Sequence, residues 1–305
     1  MRIWSVANQK GGVGKTTTAV ALACLLADRG KRVLMLDLDP QASLGSYFGH
    51  SPENVEHSSF RLFVPPGKLT DQIVSGCIHA TGYPQLSLVP GSTALATLER
   101  SAVSQEGMGL AIARTLGRLW DDYDYALIDS PPTLGVLLIN ALAASEQLIV
   151  PVQTEYLAIK GVERMLNTLQ MVNRSRRQPL PFLMVPTLFD RRTQASVTSI
   201  RYMRKTWPEY VWNAAIPVDT RLRDASAKGV TPLALDPQSR GIQAYGSLLK
   251  TLLKAEADRF AVSGALALAA RGYVRNGPAS PLQPCCLKSM AWTWQHRCMN
   301  WAEFH

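Results

Sequence analysis

The sequence predicts an α/β protein built on a doubly wound, mostly parallel sheet with helices on both faces. Three observations carry this: short β-rich apolar runs alternate with helical stretches, a glycine-rich loop joins the first such pair, and 47% of the 305 residues are apolar. Strand-then-helix alternation feeds parallel pairing through right-handed crossovers. A chain of this length and composition buries a sizeable core, and α/β units of 200 to 300 residues commonly form one domain.

The first run, Ile3 to Ala7, precedes a helical stretch from Thr17 to Asp28 and a second run from Arg32 to Leu36, together a βαβ unit. Further runs at Leu86–Val89, Tyr125–Ile128, Gln147–Val152 and Pro181–Val185 are spaced widely enough for crossover helices. A helix from about Arg240 to Arg259, apolar at Ile242, Tyr245, Leu248, Leu249, Leu252 and Leu253, closes the domain at about residue 260. Residues 261–305 change character: three tryptophans, Cys285, Cys286, Cys298 and the Pro/Gly-rich stretch from Asn276 to Pro284 lack sustained periodicity. The expectation is a poorly ordered tail, with a partner-binding segment or a frameshifted gene end as alternatives.

Composition excludes several classes. The first ten residues run straight into the glycine loop and leave no room for an apolar signal core, so a cytoplasmic chain is expected. The apolar stretches near 134–152 and 261–270 are interrupted by Asn140 and Glu146 or too short to span a bilayer. Cys24, Cys77 and the three tail cysteines show neither CxxC nor zinc-type spacing, which reads as a reduced protein without a metal–thiolate site. His50, His57 and His79 read as surface histidines. The net charge of +9 favours polyanions, nucleic acid among them, as partners.

The chemistry is carried by Lys10-Gly11-Gly12-Val13-Gly14-Lys15-Thr16. Glycines allow consecutive N–H groups to turn inward around phosphate oxygens, and the helix that follows adds its positive N-terminal end. In this geometry Lys15 reaches the β/γ-phosphates, Thr16 ligates Mg²⁺ and Thr17 bonds on the α-phosphate side. The ordinary GxxxxGK[ST] pattern is not met, because Gln9 stands at the first glycine position and a second lysine, Lys10, follows it. Asp37 and Asp39, two apart after an apolar strand, project to one side. Asp129, ending the run Tyr125–Ile128, matches a strand-end aspartate aimed at water on Mg²⁺.

These motifs resemble the ParA/MinD family of deviant Walker A ATPases, most closely its ParA (Soj) branch, over about residues 1–258. The resemblance extends to Pro151–Ala158, Phe189–Thr193, Ile216–Leu222 and Asp236–Gly241. It implies an Mg²⁺-dependent ATPase that forms an ATP-sandwiched homodimer, with Lys10 crossing to the partner's nucleotide. It also implies that Asp39 positions the attacking water, that Asp37 lies near the Mg²⁺ shell, that both belong with Thr16 and Asp129 to the metal site, and that Pro217–Asp219 contacts adenine. The family follows the glutamine of this segment with Gly-Asn, where this chain has Ala42-Ser43. The last helix carries a leucine-rich face suited to core packing and not to a membrane surface.

Arg191, Arg192, Arg201, Arg204, Lys205, Arg221 and Arg223 are the candidate contacts to nonspecific DNA, Arg221 foremost because its block resembles the family's DNA-binding region. The functional expectation is ATP-dependent, nonspecific DNA binding that segregates a chromosome or plasmid with a ParB-like stimulating partner. Two alternatives stand beside it: a polar positioning ATPase acting through chemotaxis or flagellar proteins, and an ATP-dependent amidoligase of the same superfamily.

Overall fold

The computed structural model describes residues 1–51, 55, 57–101 and 107–276. The chain divides into two compact units, Met1–Leu252 and Leu253–His305. In the first, the described residues form a sheet in the order β3-β4-β2-β5-β1-β6-β7. Its strands are β1 (Arg2–Val6), β2 (Val33–Asp37), β3 (His79–Ala80), β4 (Leu86–Val89), β5 (Tyr125–Asp129), β6 (Gln147–Gln153) and β7 (Phe182–Thr187). All neighbours pair in parallel except β3 and β4. The central strands are almost wholly buried, which is why they appear in the sequence as continuous apolar runs without alternation.

The connecting helices are α1 (Lys15–Ala27), α2 (Asp71–Gly76), α3 (Leu95–Ser101), α4 (Ala111–Arg118), α5 (Val136–Ala144), α6 (Tyr156–Asn173), α7 (Gln194–Thr206), α8 (Thr220–Ala227), α9 (Pro232–Leu235) and α10 (Arg240–Asn276). Ile3 of β1 packs with Ile112, Leu116 and Leu137, and the Ser5 hydroxyl donates to the Ala141 carbonyl at 3.0 Å. Period-two alternation therefore turns Trp4 and Val6 to the opposite face. On the β6–β7 side a second cluster joins Leu148, Val150 and Val152 to Val162, Met165 and Leu169 of α6 and Met203 of α7. Fully buried Thr18 and Tyr245 share a hydrogen bond at 2.9 Å that ties α1 to α10.

Register delivers the site. Val6 pairs with Asp129, and Asp129 pairs with Asp37, so the carboxyl ends of β1, β5 and β2 stand in one row. The chain leaves β1 towards β2 and leaves β6 towards β7, on opposite sides, and above this divergence the sheet opens a crevice.

Two expectations change. The edge strand β3 was not read, because two residues give no periodicity. The last helix runs past Arg259 to Asn276. Alanines at 261, 265, 267, 269 and 270 favour helix, and the first strong stop is Asn276-Gly277-Pro278. The remainder of the expected tail, 277–305, lies outside the described residues. Ile242, Tyr245, Leu248, Leu249 and Leu252 are buried, as the leucine face of this helix requires. Among the described residues no helix is long and apolar enough to cross a membrane.

Leu249, fully buried, tests the docking of α10. Leu249→Ala is expected to cost about 2–5 kcal/mol in denaturant unfolding, whereas the exposed neighbour change Lys250→Ala stays within about 0.5 kcal/mol.

Candidate functional site

Gly12 and Gly14 adopt φ of 73° and 87°, a left-handed geometry open to glycine at little cost. Gly14 is the N-cap of α1 and offers no side-chain cap, so the first N–H groups of the helix remain available to an anion. The buried Thr187 hydroxyl donates to the Val13 carbonyl at 2.8 Å and pins the middle of the loop to β7. Gly11 to Thr17 line a cleft of about 670 Å³. Ile216–Thr220, Leu222, Arg223 and Ser226 line it as well, as do Asp39, Tyr47 and Tyr245.

Lys15 and Lys10 part company. Lys15 is buried in the cleft, with its ammonium 3.4 Å from the Lys10 carbonyl. Burial lowers its pKa, opposed by the charges of Asp129 and Asp39. Lys10 is not among the residues lining its own cleft. Its ammonium bonds Glu155 and, at 3.3 Å, Gln153.

Three aspartates sit behind the loop. Asp129 is fully buried and accepts from the Thr16 hydroxyl at 2.6 Å, while its other oxygen has no hydrogen-bond partner. Burial raises its pKa to about 7, against the hydrogen bond of Thr16 and the charge of Lys15. Asp37, also fully buried, is pushed well above the usual carboxylate range by burial and then by the charge of Asp129. Its oxygens accept from the N–H groups of Asp39 at 2.9 Å and Leu44 at 3.2 Å. Asp39 accepts from the Gln41 N–H at 3.0 Å and faces the cleft.

Among the described residues no three His, Cys, Asp or Glu side chains converge into a closed metal cage. The four residues expected at the metal are therefore not equivalent. Thr16 and Asp129 meet, Asp37 spends its oxygens on the backbone of residues 39–44, and Asp39 stands on the cleft wall. An orphaned buried carboxylate oxygen beside a threonine hydroxyl suits Mg²⁺, which keeps waters and takes few protein ligands.

Pro217 and Asp219 line the cleft, and the Asp219 carboxylate is engaged in structure. It caps α8 by accepting from the Arg221 N–H at 3.1 Å and accepts from the Gly241 N–H at 2.9 Å. Ala42, where the resembling family carries glycine, holds φ of 48° and is buried, a left-handed geometry costly for alanine. Tyr47 was not singled out from the sequence; its hydroxyl lies 3.3 Å from that of Thr17. No local pattern marks it, since a 3-10 turn over Gly45–Phe48 brings it to the cleft.

The basic candidates divide. Arg192 forms a bidentate pair with Asp190, at 3.0 and 2.7 Å, and holds that carboxyl down at about 2. Arg221, the foremost candidate, is exposed but ion-paired with Asp236, and Arg204 bonds the carbonyls of Asn213 and Ala214. Arg191, Arg201, Lys205 and Arg223 are exposed. Arg223 also lines the cleft.

The raised pKa of Asp129 has a stability consequence. The folded chain keeps this proton up to about 7, whereas the unfolded chain releases it near 3.8, so the folded state binds more protons between those values. The contribution is full below the lower value and lost as pH rises through the upper one. Asp129→Asn in the nucleotide-free, metal-free protein is expected to flatten that decline, adding on the order of 1–3 kcal/mol at pH 8 and nothing at pH 4. Thermal melts across pH measure it.

Residues 1–182 match the model of a family described as AAA domain. The chain is 36% identical over 250 residues to the sporulation initiation inhibitor protein Soj of Bacillus subtilis, covering 82% of this chain and 97% of that one. It is 32% identical over 259 residues to the chromosome partitioning protein ParA of Myxococcus xanthus, covering 85% and 90%. Among solved structures, one named cobyrinic acid a,c-diamide synthase, from Mycobacterium smegmatis with bound ADP and magnesium, superposes with a TM-score of 0.70 at 33% identity, covering 83% and 94%. A phosphate loop with its buried lysine, a threonine–aspartate pair joining the start of α1 to the end of β5, and these matches over most of the chain lead to one conclusion: the chain belongs to the ParA/Soj family of P-loop ATPases.

Proposed function

We propose that this chain is an ATP-dependent dimerising switch of ParA type that segregates or positions cargo in the cytoplasm through nonspecific DNA binding. The observation that carries the reading is the divergence of the two loop lysines. Lys15 enters the cleft, and Lys10, five residues earlier, is turned out of it. A cation held at the rim is placed to serve a nucleotide on another subunit, in the manner of an arginine finger.

In this reading the uncapped start of α1 and Lys15 hold the β- and γ-phosphates of ATP. Thr16 ligates Mg²⁺, and Asp129 bears on it through water. Bound Mg²⁺ neutralises phosphate charge as the γ-phosphoryl group departs. Asp39 orients the attacking water, Asp37 fixes the backbone that carries Asp39, and Pro217 packs at the base. Apolar side chains support an interface on this face. Leu188 and Val218 line the cleft mouth and are 38% and 43% exposed, and Tyr156 and Leu157, next to the partner of Lys10, are each 70% exposed.

Pairing two chains doubles the cationic surface, and DNA affinity steepens with the number of phosphates neutralised. Arg223, exposed and at the cleft wall, becomes the foremost phosphate contact in place of Arg221, which must first give up Asp236. Two curated relatives carry sporulation or partitioning names, and the reading follows them over the synthase name of the Mycobacterium structure and over the chemotaxis alternative. A ParB-like stimulating protein is the partner this family membership suggests.

DNA co-sedimentation across a salt series, with ATP, ADP or no nucleotide, tests the reading. Binding is expected with ATP alone, to vanish in Lys10→Ala, and to show a salt slope reduced by about one per lost contact in Arg223→Ala. Equal binding with ATP and ADP would sink the switch. In the same preparations, Lys15→Ala is expected to lower ATP turnover at least about a hundredfold, measured as phosphate release.

A further inference from the structure

Lys10 is held by its own chain. Its ammonium lies between the Gln153 side-chain oxygen at 3.3 Å and the Glu155 carboxylate, at the junction of β6 and α6. The seat is built. Asn8, fully buried, accepts from the Lys10 N–H at 3.2 Å and donates to the Pro151 carbonyl at 2.7 Å, which fixes the lysine backbone against the end of β6. Gly161 brings α6 close: a Cβ there would stand 3.8 Å from that of Lys10. The Lys10 and Glu155 side chains are 27% and 44% exposed, so the pair sits at the surface and can open without unfolding.

We propose that Glu155 is a positioning residue for Lys10, a latch that keeps the lysine on its own subunit until a second ATP-loaded chain draws it across. The inference rests on the reading of Lys10 under Proposed function. One carboxylate and one amide oxygen compete with the partner's nucleotide phosphates for the same ammonium. Each chain must give up its latch as the sandwich closes, and the threshold for ATP-driven pairing rises accordingly. Nucleotide-free chains stay apart with or without the latch, because a partner lacking phosphate offers the Lys10 ammonium no counter-charge; the latch sets only the threshold for ATP-driven pairing. The latch sits beside exposed Tyr156 and Leu157, so its release and the burial of that apolar surface belong to one event.

The test is analytical ultracentrifugation of the full chain against protein concentration, with a non-hydrolysable ATP analogue, with ADP and without nucleotide. The variants are Glu155→Gln, Glu155→Asp, Lys10→Ala and the double change Lys10→Ala with Glu155→Gln. An exposed ion pair supports an expected shift of about twofold to fivefold: Glu155→Gln pairs at that much lower concentration with the analogue, remains monomeric without nucleotide, and matches the native melting temperature. Glu155→Asp, which keeps the charge, is expected to restore the native threshold, and the double variant to behave as Lys10→Ala alone. A general loosening of the fold would produce neither the restoration nor the dependence on Lys10. If the native chain pairs with the analogue, Lys10→Ala does not, and Glu155→Gln leaves the threshold unchanged or raised, the latch alone is overturned. If native and Lys10→Ala chains behave alike, the reading of Lys10 falls and the latch with it.

Discussion

Two aspartates buried side by side govern the rest of this structure. Asp37 and Asp129 are register partners at the ends of β2 and β5, and neither reaches solvent. Burial raises the pKa of both carboxyls, and at Asp37 the charge of Asp129 adds to it. What compensates them is what the site is made of. The Thr16 hydroxyl and the Lys15 charge act on Asp129, and the N–H groups of Asp39 and Leu44 act on Asp37. One oxygen of Asp129 is left buried with no hydrogen-bond partner.

From that row the loops inherit their duties. The backbone after β2 is held by Asp37 itself, so the loop bearing Asp39 is fastened to the same carboxylate whose ionisation a bound cation would favour. Gly91 packs so close that a side chain there would meet the Asp37 carboxyl at 2.9 Å. Ala42 bears a strained angle within the same loop, which stiffens by its side chain a position that glycine would leave loose. Tyr47, on the turn that follows, bears on Thr17 in α1. Occupancy of the phosphate loop and the shape of the segment after Asp39 are therefore joined by contact.

The fold was largely legible because parallel strands buried on both faces must be continuous apolar runs, and β1, β2, β4, β5, β6 and β7 are such runs. β3 was not, since a two-residue edge strand is made by its neighbour and not by its own pattern. The composition changes near residue 260, yet α10 runs on to Asn276, because the alanines of 261–270 favour helix and no proline interrupts the chain before Pro278. The Asp219 cap on α8 is a local contact with the Arg221 N–H, whereas its second acceptor bond comes from Gly241, distant in the chain, and no local pattern announces it.

By itself the sequence determined the phosphate loop, its two lysines and the three aspartates, since backbone freedom at glycine, helix polarity and strand periodicity are local properties of consecutive residues. Tertiary structure alone decided how those groups are used. Parallel register set Asp37 against Asp129, the crossing of β6 into α6 gave Lys10 its partner in Glu155, and the approach of α9 to α8 tied Arg221 to Asp236. The physical reason is that a charge takes its properties from the neighbours that desolvate or pair it, and here those neighbours are brought together by folding across long stretches of chain.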